Sequence, residues 1–341
     1  MKKKQPLNLS KLIFVSIIAF LFSSLIAKQK IIFPDQIGEY KFKKQIRIAK
    51  RNSKANKIFS YALYQNSKGQ KAFAKMWSGK LKDLNYYTLM NETILYTVLN
   101  GAIRRMGKSI PKKFEEIIIP QFIKKLETKN SLILLTELIE IVPVSKIKSR
   151  RQFEIYLKTV DFLNLVGDRL SAKEKEQIAK RDTKIIILLY FPLLLKSILT
   201  HPRAFFSLFY GVPVFLQSIP VLLKTNEVTL CHRDLHLENI VMSKNKIALM
   251  DLQFCLFSNP LYDRLITLRM HWTDKEFRQR LLEEIKDIYG KNKDSNILIR
   301  GLMVHSATHG LTGNYFTKPI TKKFIDYLNF ATKSNFQIKK I

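Results

Sequence analysis

The sequence is poor in cysteine and in acidic residues, and it has no internal repeat and no low-complexity linker. Its two cysteines, Cys231 and Cys255, are too few for a disulfide scaffold or a zinc site, so we expect free, buried thiols in a reducing compartment. Only 27 acidic residues stand against 59 lysines and arginines. With 46% hydrophobic residues among 341, the chain is long enough to form a core and is not disordered.

The formal net charge of +32 narrows the choice of partners. A field of this sign attracts nucleic acid, an anionic membrane or a phosphorylated substrate. The basic residues are scattered rather than grouped in blocks, and a lysine-rich proteome would produce the same charge without a specific role. Among these partners we expect an anionic membrane surface and no nucleic acid.

The N-terminal region is a candidate for contact with lipid. Residues 12–27 carry no charge and follow a lysine-rich start, as in signal peptides, but sixteen residues are slightly short for a membrane-spanning helix. We interpret residues 1–36 as a basic and hydrophobic segment that forms a membrane anchor or a surface helix. A helix buried in the protein itself is the alternative.

A second apolar region lies near residues 185–223. Three helix breakers interrupt its run 204–223, namely Gly211, Pro213 and Pro220. We therefore expect short helices there rather than one straight span. The basic residues Lys196, His201 and Arg203 separate the two apolar halves, as they would in a hairpin at a lipid headgroup layer. A helical core is an equal alternative.

Hydrophobic periodicity predicts an α+β fold. Three strands are expected between Gln45 and Trp77, written IRIAK, KIFSYALYQ and QKAFAKMW, and a helix from Asp83 to Leu99. Phe122–Leu126 and Ser131–Glu137 form a further predicted hairpin. From about Arg150 onwards helical patterns dominate. The sequence thus predicts a small antiparallel sheet with one inserted helix, followed by a mostly helical part.

The stretch from Cys231 to Gln253 places polar residues at spacings that fit phosphoryl transfer from ATP. Asp234 stands five residues before Asn239, and Asn239 twelve before Asp251. The apolar runs on either side of the letters SKNK predict a hairpin that returns Asp251 beside Asn239. Such transfer needs a carboxylate for the attacking hydroxyl and oxygen ligands that hold magnesium against the phosphates.

The same chemistry needs a lysine on the phosphates and an acid that holds this lysine. Lys75 lies in the third predicted strand, and Glu92 lies seventeen residues later in the following helix. Together with the motif His-Arg-Asp-x-x-x-x-Asn and the later Asp, this pair resembles the protein-kinase-like phosphotransferase superfamily over roughly residues 37–341. The resemblance implies a two-lobed kinase fold, with residues 37–138 as the N-lobe and 139–341 as the C-lobe, and it implies ATP and Mg²⁺ as cofactors.

The resemblance also assigns roles to residues. The implied catalytic residues are Asp234 as the base, Arg233 and His236; the implied magnesium ligands are Asn239 and Asp251; the implied ATP-binding residues are Lys75, Glu92 and the backbone from Glu137 to Ile139, which would meet adenine. Asp263, in the letters NPLYDRL, would support the catalytic loop by hydrogen bonds.

Departures from the protein-kinase pattern favour kinases of small molecules. Asp251-Leu252-Gln253 replaces Asp-Phe-Gly, which resembles the lipopolysaccharide core kinases that phosphorylate Kdo or heptose. His236 is similar to the histidine of aminoglycoside and choline kinase-like enzymes. Only nine residues lead from Asp251 to Pro260, too few for a long activation segment. The turn RNSKAN carries no glycine, so the glycine-rich loop is absent.

Three functions remain open on this basis. The first is a membrane-associated, ATP-dependent kinase of a glycolipid or sugar hydroxyl, on the cytoplasmic side of the inner membrane. The second is a soluble, cytoplasmic kinase of an aminoglycoside-, choline- or sugar-like molecule, although so basic a protein is a poor match for cationic antibiotics. The third is a non-catalytic, kinase-like regulator.

Overall fold

A sheet followed by helices makes up the described part of the chain, so the predicted α+β class is confirmed. The computed structural model describes residues 32–46, 59–139, 142–144, 149–180, 183–225, 227–243, 246–290, 292–312 and 318–333. The predicted anchor or surface helix, with its apolar run 12–27, lies outside the described residues. The glycine-free turn RNSKAN also lies outside them.

Twelve strands are found in the described part of the chain. They are β1 (Gln36–Ile37), β2 (Tyr40–Ile46), β3 (Ser60–Gln65), β4 (Lys71–Ser78), β5 (Ile117–Ile118), β6 (Phe122–Glu127), β7 (Ser131–Glu137), β8 (Val142–Pro143), β9 (Thr229–Cys231), β10 (Ile240–Ser243), β11 (Lys246–Leu249) and β12 (Leu256–Ser258). The main sheet has the order β1-β2-β3-β4-β7-β6, with every pair antiparallel. The order β5-β11-β10-β8 forms a smaller sheet, and β9 pairs with β12.

Nine α-helices are found in the same part. They are α1 (Leu84–Met106), α2 (Ser149–Asp168), α3 (Ala172–Lys175), α4 (Thr183–Thr200), α5 (Phe205–Lys224), α6 (Leu261–Met270), α7 (Lys275–Tyr289), α8 (Lys293–Leu311) and α9 (Lys318–Thr332). The helix α8 is buried along most of its length and packs against α4, α5, α6 and α9. The helical core of the C-terminal part is therefore built around α8.

Among the described residues, α1 is the one α-helix inserted between strands of the main sheet. Asp83 caps its N-terminus, because its carboxylate accepts a hydrogen bond from the backbone N–H of Tyr86. The same carboxylate accepts from the indole N–H of Trp77 over 2.8 Å, which ties the helix start to β4. Gly107 ends the helix with a φ of 47°, a left-handed value that suits glycine. The helix thus runs seven residues beyond the predicted end at Leu99.

The prediction of short helices in the run 204–223 is wrong, because α5 is one helix that contains Pro213 and Pro220. Each proline removes one backbone donor but keeps a φ that a helix can use. Gly211 allows close packing, since a Cβ there would lie 3.0 Å from Cγ1 of Val304 in α8. The stabilisation from packing one face of α5 against α8 therefore outweighs the helix-breaking tendency of the glycine and the two prolines. By length and composition, the span Pro202–Lys224 is the single helical span in the described residues that is long and apolar enough to cross a membrane.

The first predicted strand is described only at its first residue. The sequence predicts a strand at IRIAK, and its Ile46 is the last residue of the strand β2, which begins at Tyr40. Residues 47–50 lie outside the described residues. A bulge between Phe42 and Lys44 shifts the register with β3 in the part of β2 that precedes the predicted strand. The later strands and the second hairpin lie where the alternation predicts them.

Candidate active site

A hairpin brings the two predicted magnesium ligands to the same end of the smaller sheet. β10 and β11 are antiparallel, with Ile240 opposite Leu249. The backbone N–H of Met250 donates to the carbonyl of Asn239 over 2.9 Å. Asn239 directly precedes one strand and Asp251 follows the other, so the spacing of twelve residues places them side by side, as the sequence predicts. Lys244 and Asn245 lie outside the described residues.

Lys75 lies in the middle of the main sheet, where β4 pairs with β3 on one side and β7 on the other. Its buried Nζ is 2.8 Å from Oε2 of Glu92 and 2.9 Å from Oδ1 of Asp251. Burial alone would lower the pKa of Lys75, but attraction to these two carboxylates raises it above its ordinary value. The ammonium group is therefore charged, and the structure brings Lys75, Glu92 and Asp251 together.

Two residues that the sequence analysis did not single out complete this cluster. The side-chain oxygen of Gln253 accepts from Nζ of Lys75 over 3.0 Å. Asn91, next to Glu92 in α1, donates from Nδ2 to the carbonyls of Gln253 and Cys255 over 3.1 and 3.2 Å. Gln253 stands where the protein-kinase pattern has glycine. Its side chain contacts a residue 178 positions away, so no local pattern predicts the contact.

The predicted catalytic loop, between β9 and β10, holds Asp234 and Asn239 against each other. Nδ2 of Asn239 donates to the backbone carbonyl of Asp234 over 2.8 Å and lies 3.3 Å from its Oδ2. Nδ1 of His236 accepts from the backbone N–H of Glu238 over 3.2 Å. A neutral His236 therefore carries its proton on Nε2, which lies 3.7 Å from Oδ2 of Asp234. The site thus groups the predicted residues Asp234, His236 and Asn239.

Two opposing effects act on the carboxyl group of Asp234. Burial raises its pKa above the ordinary value, and the nearby His236 opposes this rise. The negative charge of Asp251 adds to the rise. A carboxylate with a raised pKa is a better proton acceptor, which suits a general base.

Asp263 holds the backbone of the same loop by hydrogen bonds, as the resemblance implies. Its two carboxylate oxygens accept from the backbone N–H groups of His232 and Arg233 over 2.8 and 2.6 Å. Nε2 of His232 is 2.9 Å from the carbonyl of Met250, which joins the loop to the hairpin. Burial raises the pKa of Asp263, and the loop residues His232 and Arg233 oppose the rise. The aspartate is therefore part of the framework that positions Asp234.

Backbone strain is concentrated at this site. Among the described residues, Arg233 and Asp251 are the two non-glycine residues with positive φ, at 63° and 58°. Such conformations cost about 1–3 kcal/mol and persist only where their surroundings hold them. Arg233 is held by the hydrogen bond that its backbone N–H donates to Asp263, and Asp251 is held by the hydrogen bond that it accepts from Lys75. The guanidinium of Arg233 lies 4.7 Å from the ring centre of Tyr262, so in this structure its side chain anchors the loop.

The segment predicted to meet adenine follows β7. The backbone N–H of Glu137 donates to the carbonyl of Gln121 over 2.9 Å, and that of Leu138 donates to the carbonyl of Lys71 over 3.1 Å. The side chain of Ile139 is buried in a small cluster with Val241 and Ala248 of the hairpin sheet. Two of the donors in this segment are thus engaged within the protein, and the segment is packed on the hairpin that carries Asn239 and Asp251.

The donor set at the hairpin fits magnesium. Within the described residues no group of three His, Cys, Asp or Glu side chains could enclose a metal ion. Magnesium in phosphoryl-transfer sites is commonly held by one or two protein oxygens together with substrate phosphates and water. Because Nδ2 of Asn239 is engaged with Asp234, its amide oxygen is the atom it can offer to a cation. One amide and one carboxylate oxygen are hard ligands of the required type.

Comparisons with known proteins agree with this architecture. Residues 212–295, which contain the catalytic loop, the hairpin and Asp263, match the Phosphotransferase enzyme family. No curated protein sequence matches the chain. Two crystal structures superpose with a TM-score of 0.51 each. Aminoglycoside phosphotransferase APH(4)-Ia is 10% identical over 94% of this chain and 96% of that one. Spectinomycin phosphotransferase APH(9)-Ia, in complex with ADP and spectinomycin, is 14% identical over 85% and 92%.

These likenesses show the fold. The predicted protein-kinase-like, two-lobed fold is confirmed, and so is the resemblance to that phosphotransferase superfamily. The predicted class of enzyme, a phosphotransferase with a hydroxyl acceptor, is also confirmed. The two similar structures are antibiotic phosphotransferases rather than lipopolysaccharide kinases, so a lipopolysaccharide acceptor stays a prediction.

Proposed function

We propose that this protein is a kinase that uses ATP and Mg²⁺ to phosphorylate a hydroxyl group of a small molecule or sugar. The observation that carries the proposal is the cluster in which buried Lys75 contacts both Glu92 and Asp251, with 2.8 and 2.9 Å separations. In a kinase the lysine meets the nucleotide phosphates and the aspartate meets their metal ion. In this proposal residues 37–138 are the N-lobe and 139–341 the C-lobe.

The bound nucleotide would rest on groups from both lobes. The ammonium of Lys75, held by Glu92, would bind the phosphates, and the backbone near Glu137 and Ile139 would meet adenine. Asn239 and Asp251 would hold magnesium, which neutralises negative charge on the phosphates when it is bound. With no glycine in the turn RNSKAN, lysine and magnesium would provide most of the charge that holds the phosphates.

The acceptor hydroxyl would be oriented by Asp234. Its carboxylate would accept the proton as the hydroxyl oxygen attacks the γ-phosphorus, and the bond from that phosphorus to the bridging oxygen of ADP would break. Burial raises the pKa of Asp234, which brings it closer to neutral pH and favours proton acceptance. His236, with Nε2 3.7 Å from Oδ2 of Asp234, would limit the mobility of that carboxylate.

The nature of the similar structures favours a water-soluble acceptor. The solved structures that share the fold include complexes with hygromycin B and with spectinomycin, each with ADP. The short connection from Asp251 to Pro260 lacks the room for an activation segment that would present a protein substrate. A hydroxylated small molecule is therefore the first class of acceptor to test.

A second candidate acceptor is the sugar of a membrane glycolipid, with the enzyme at the cytoplasmic side of the inner membrane. The observation in its favour is the apolar outer surface of α4 and α5, where Phe206 and Leu199 are more than two-thirds exposed. An enzyme that acted on lipid-linked sugars would need such a surface to approach the membrane.

The test is magnesium-dependent transfer of labelled γ-phosphate from ATP into two extracts of the host, one aqueous and one lipid. Asp234→Asn removes the proton acceptor while it keeps the size of the side chain, so we expect kcat to fall by about 10²- to 10⁴-fold with ATP affinity little changed. The matched control is Asp168→Asn, which changes an exposed aspartate at the end of α2.

Label in the aqueous extract identifies a soluble acceptor, and label in the lipid extract identifies a glycolipid. Transfer that survives Asp234→Asn would refute the assigned base, and absence of transfer into either extract with ATP bound would contradict both candidate acceptors.

A further inference from the structure

The neighbouring helices α4 and α5 carry most of the exposed apolar side chains of the described structure. Of fifteen exposed large hydrophobic residues in the described chain, ten lie on these two helices. On α4 they are Leu188, Phe191, Leu195 and Leu199. Because these four are spaced by three or four residues, they lie along one side of the helix. Contiguous exposed apolar surface on a soluble domain marks a binding surface.

The exposed side of α5 continues this surface. Its exposed residues are Phe205, Phe206, Phe209, Tyr210, Leu216 and Leu223. Phe205 and Phe209 stack with ring centres 6.2 Å apart, so the start of the helix presents an aromatic cluster. We call the exposed sides of the two helices together the α4–α5 face.

The opposite sides of both helices are packed into the protein. Tyr190 of α4 and Phe215 of α5 are fully buried and stack with ring centres 3.8 Å apart. The hydroxyl of Ser197 donates to the carbonyl of Thr308 in α8 over 2.7 Å. The α4–α5 face is therefore the outer surface of a packed layer. A helix that is committed on one side to a protein core is suited to lie on a membrane rather than to cross it.

The charged residues of the two helices and of their connection are all basic. From residue 183 to residue 226 the sequence has no aspartate or glutamate. The exposed basic residues of the pair lie at its ends, with Lys184 at the start of α4, Arg203 between the helices and Lys224 at the end of α5. An apolar centre with basic residues at its margin is complementary to acyl chains bordered by anionic headgroups.

We propose that the α4–α5 face docks on an anionic lipid bilayer, with both helices parallel to the membrane plane and their exposed side chains in the interfacial layer. A second copy of the chain is a less suitable occupant. Two such faces in contact would bring together helices whose charges are all basic, in a protein of net charge +32. The docking goes beyond the proposed phosphotransfer and does not depend on it.

The first test measures the depth of one side chain in the membrane. The substitution Phe206→Trp, at a position that is 71% exposed, is introduced into the full-length protein. The measurement is the quenching of tryptophan fluorescence by brominated lipid in the vesicles. The native Trp77 and Trp272 are buried, at 2% and 6% exposure, and contribute a constant background. Leu81→Trp, at an 82% exposed position outside the face, is the matched control.

We expect strong quenching for Phe206→Trp and little for Leu81→Trp with vesicles of phosphatidylcholine and phosphatidylglycerol. Equal quenching at the two positions, or none at Phe206→Trp while the protein is bound, would overturn the proposal in favour of another contact, such as one through residues 1–31.

The second test removes the apolar contact. Phe206→Glu with Phe209→Glu should weaken binding to the phosphatidylglycerol vesicles by about tenfold or more, since it adds two negative charges to an apolar surface. Leu81→Glu with Ile288→Glu adds the same charge at exposed positions elsewhere and should change binding much less. Circular dichroism and ATP binding check that both variants are folded.

Two further outcomes bear on the proposal. Equal binding to vesicles of phosphatidylcholine alone would contradict the anionic character of the docking. A wild-type dimer that Phe206→Glu with Phe209→Glu converts to a monomer, with vesicle binding unchanged, would assign the face to a second copy instead.

Discussion

Lys75 shows how a buried charge can be stable inside a small lobe. A lysine taken out of water is costly unless opposite charges and hydrogen bonds compensate for the lost hydration. Here the carboxylates of Glu92 and Asp251 and the amide oxygen of Gln253 all lie within 3.0 Å of one Nζ. Three acceptors thus surround an ammonium group that has three N–H donors. The position of Lys75 is consequently determined before any nucleotide binds.

Gln253 is expected to contribute to ATP use through Lys75. A hydrogen bond to a charged group is worth about 1.5–3 kcal/mol, and two carboxylates still hold Lys75 when Gln253 is removed. Gln253→Ala should therefore lower kcat/KM for ATP by about tenfold, measured by steady-state kinetics. Gln253→Glu, which keeps an acceptor oxygen at the same distance from the backbone, should retain most of the wild-type kcat/KM. Unchanged kinetics in Gln253→Ala would mean that the contact has no part in positioning Lys75.

At the scale of elements, two adjacent residues join α1 to β4 and to the loop after β11. Glu92 of α1 binds Lys75, and its neighbour Asn91 binds the carbonyls of Gln253 and Cys255. A shift of the helix would break both sets of contacts at once. The position of α1 and the position of Asp251 are therefore coupled in this structure.

The contact between α5 and α8 depends on small residues. The hydroxyl of Ser218 in α5 faces Gly301 in α8, and a Cβ on Gly301 would lie 2.0 Å from that oxygen. The hydroxyl itself donates to the carbonyl of Phe215 over 2.6 Å, so it has a partner within its own helix. A short side chain opposite a glycine lets the two helix backbones approach closely.

Gly301→Ala is therefore expected to destabilise the protein. An added methyl group in a filled core typically costs about 1–3 kcal/mol in free energy of unfolding. Urea denaturation would measure this loss. Gly101→Ala in α1 is the matched control, because the new Cβ would meet only Arg105 at an ordinary 3.6 Å, and replacing a helical glycine should stabilise by about 0.5–1 kcal/mol. A lower free energy of unfolding in both variants, or in neither, would contradict the conclusion that the contact between α5 and α8 needs a glycine at position 301.

At the scale of the whole molecule, charge and apolar surface are distributed unevenly. The chain has a formal net charge of +32, yet residues 183–226 contribute a largely apolar pair of helices on the C-terminal part. Three carboxylates meet at the candidate site, by contrast, namely those of Asp234 before β10, Asp251 after β11 and Asp263 in α6. This otherwise basic protein therefore has oxygen ligands for a divalent cation at the candidate site.

Global stability is expected to fall as the pH is lowered, and His271 determines part of the slope. Burial, with a contribution from Lys323, lowers the pKa of His271 to about 4 from an ordinary 6.5. Between these values the unfolded chain binds a proton that the folded chain does not, so acidification favours unfolding. The free energy of unfolding should decrease between pH 6.5 and about 4 by at most on the order of 3 kcal/mol from this residue.

His271→Gln removes the titrating group from this comparison. Urea unfolding of both proteins at neutral and acidic pH should give a shallower decrease for His271→Gln than for the wild type. Equal slopes would show that the imidazole of His271 titrates alike in the folded and unfolded chains.

Much of the fold was predictable because local patterns determine local structure. Alternation of apolar side chains located β3, β4, β6 and β7, and helical spacing located α1. The hairpin that joins Asn239 to Asp251 followed from two apolar runs and one polar turn. The first residues of β2, from Tyr40 on, were not predicted as strand, and a bulge between Phe42 and Lys44 disrupts their alternation. The α5 helix was misjudged because the propensity of proline competes with packing that the sequence does not display.

The sequence by itself determined which chemical groups the protein has and their order along the chain. Asp234, Asn239 and Asp251 lie within one loop and hairpin, so backbone geometry alone brings them together. The tertiary structure decided what joins them to the other lobe. The contacts of Lys75 with Asp251 and Gln253 span 176 and 178 positions, and those of Asn91 with Gln253 span 162. It also decided which side of α4 and α5 is exposed, because a helix that is apolar all round has no pattern to indicate its buried face until a neighbour packs against it.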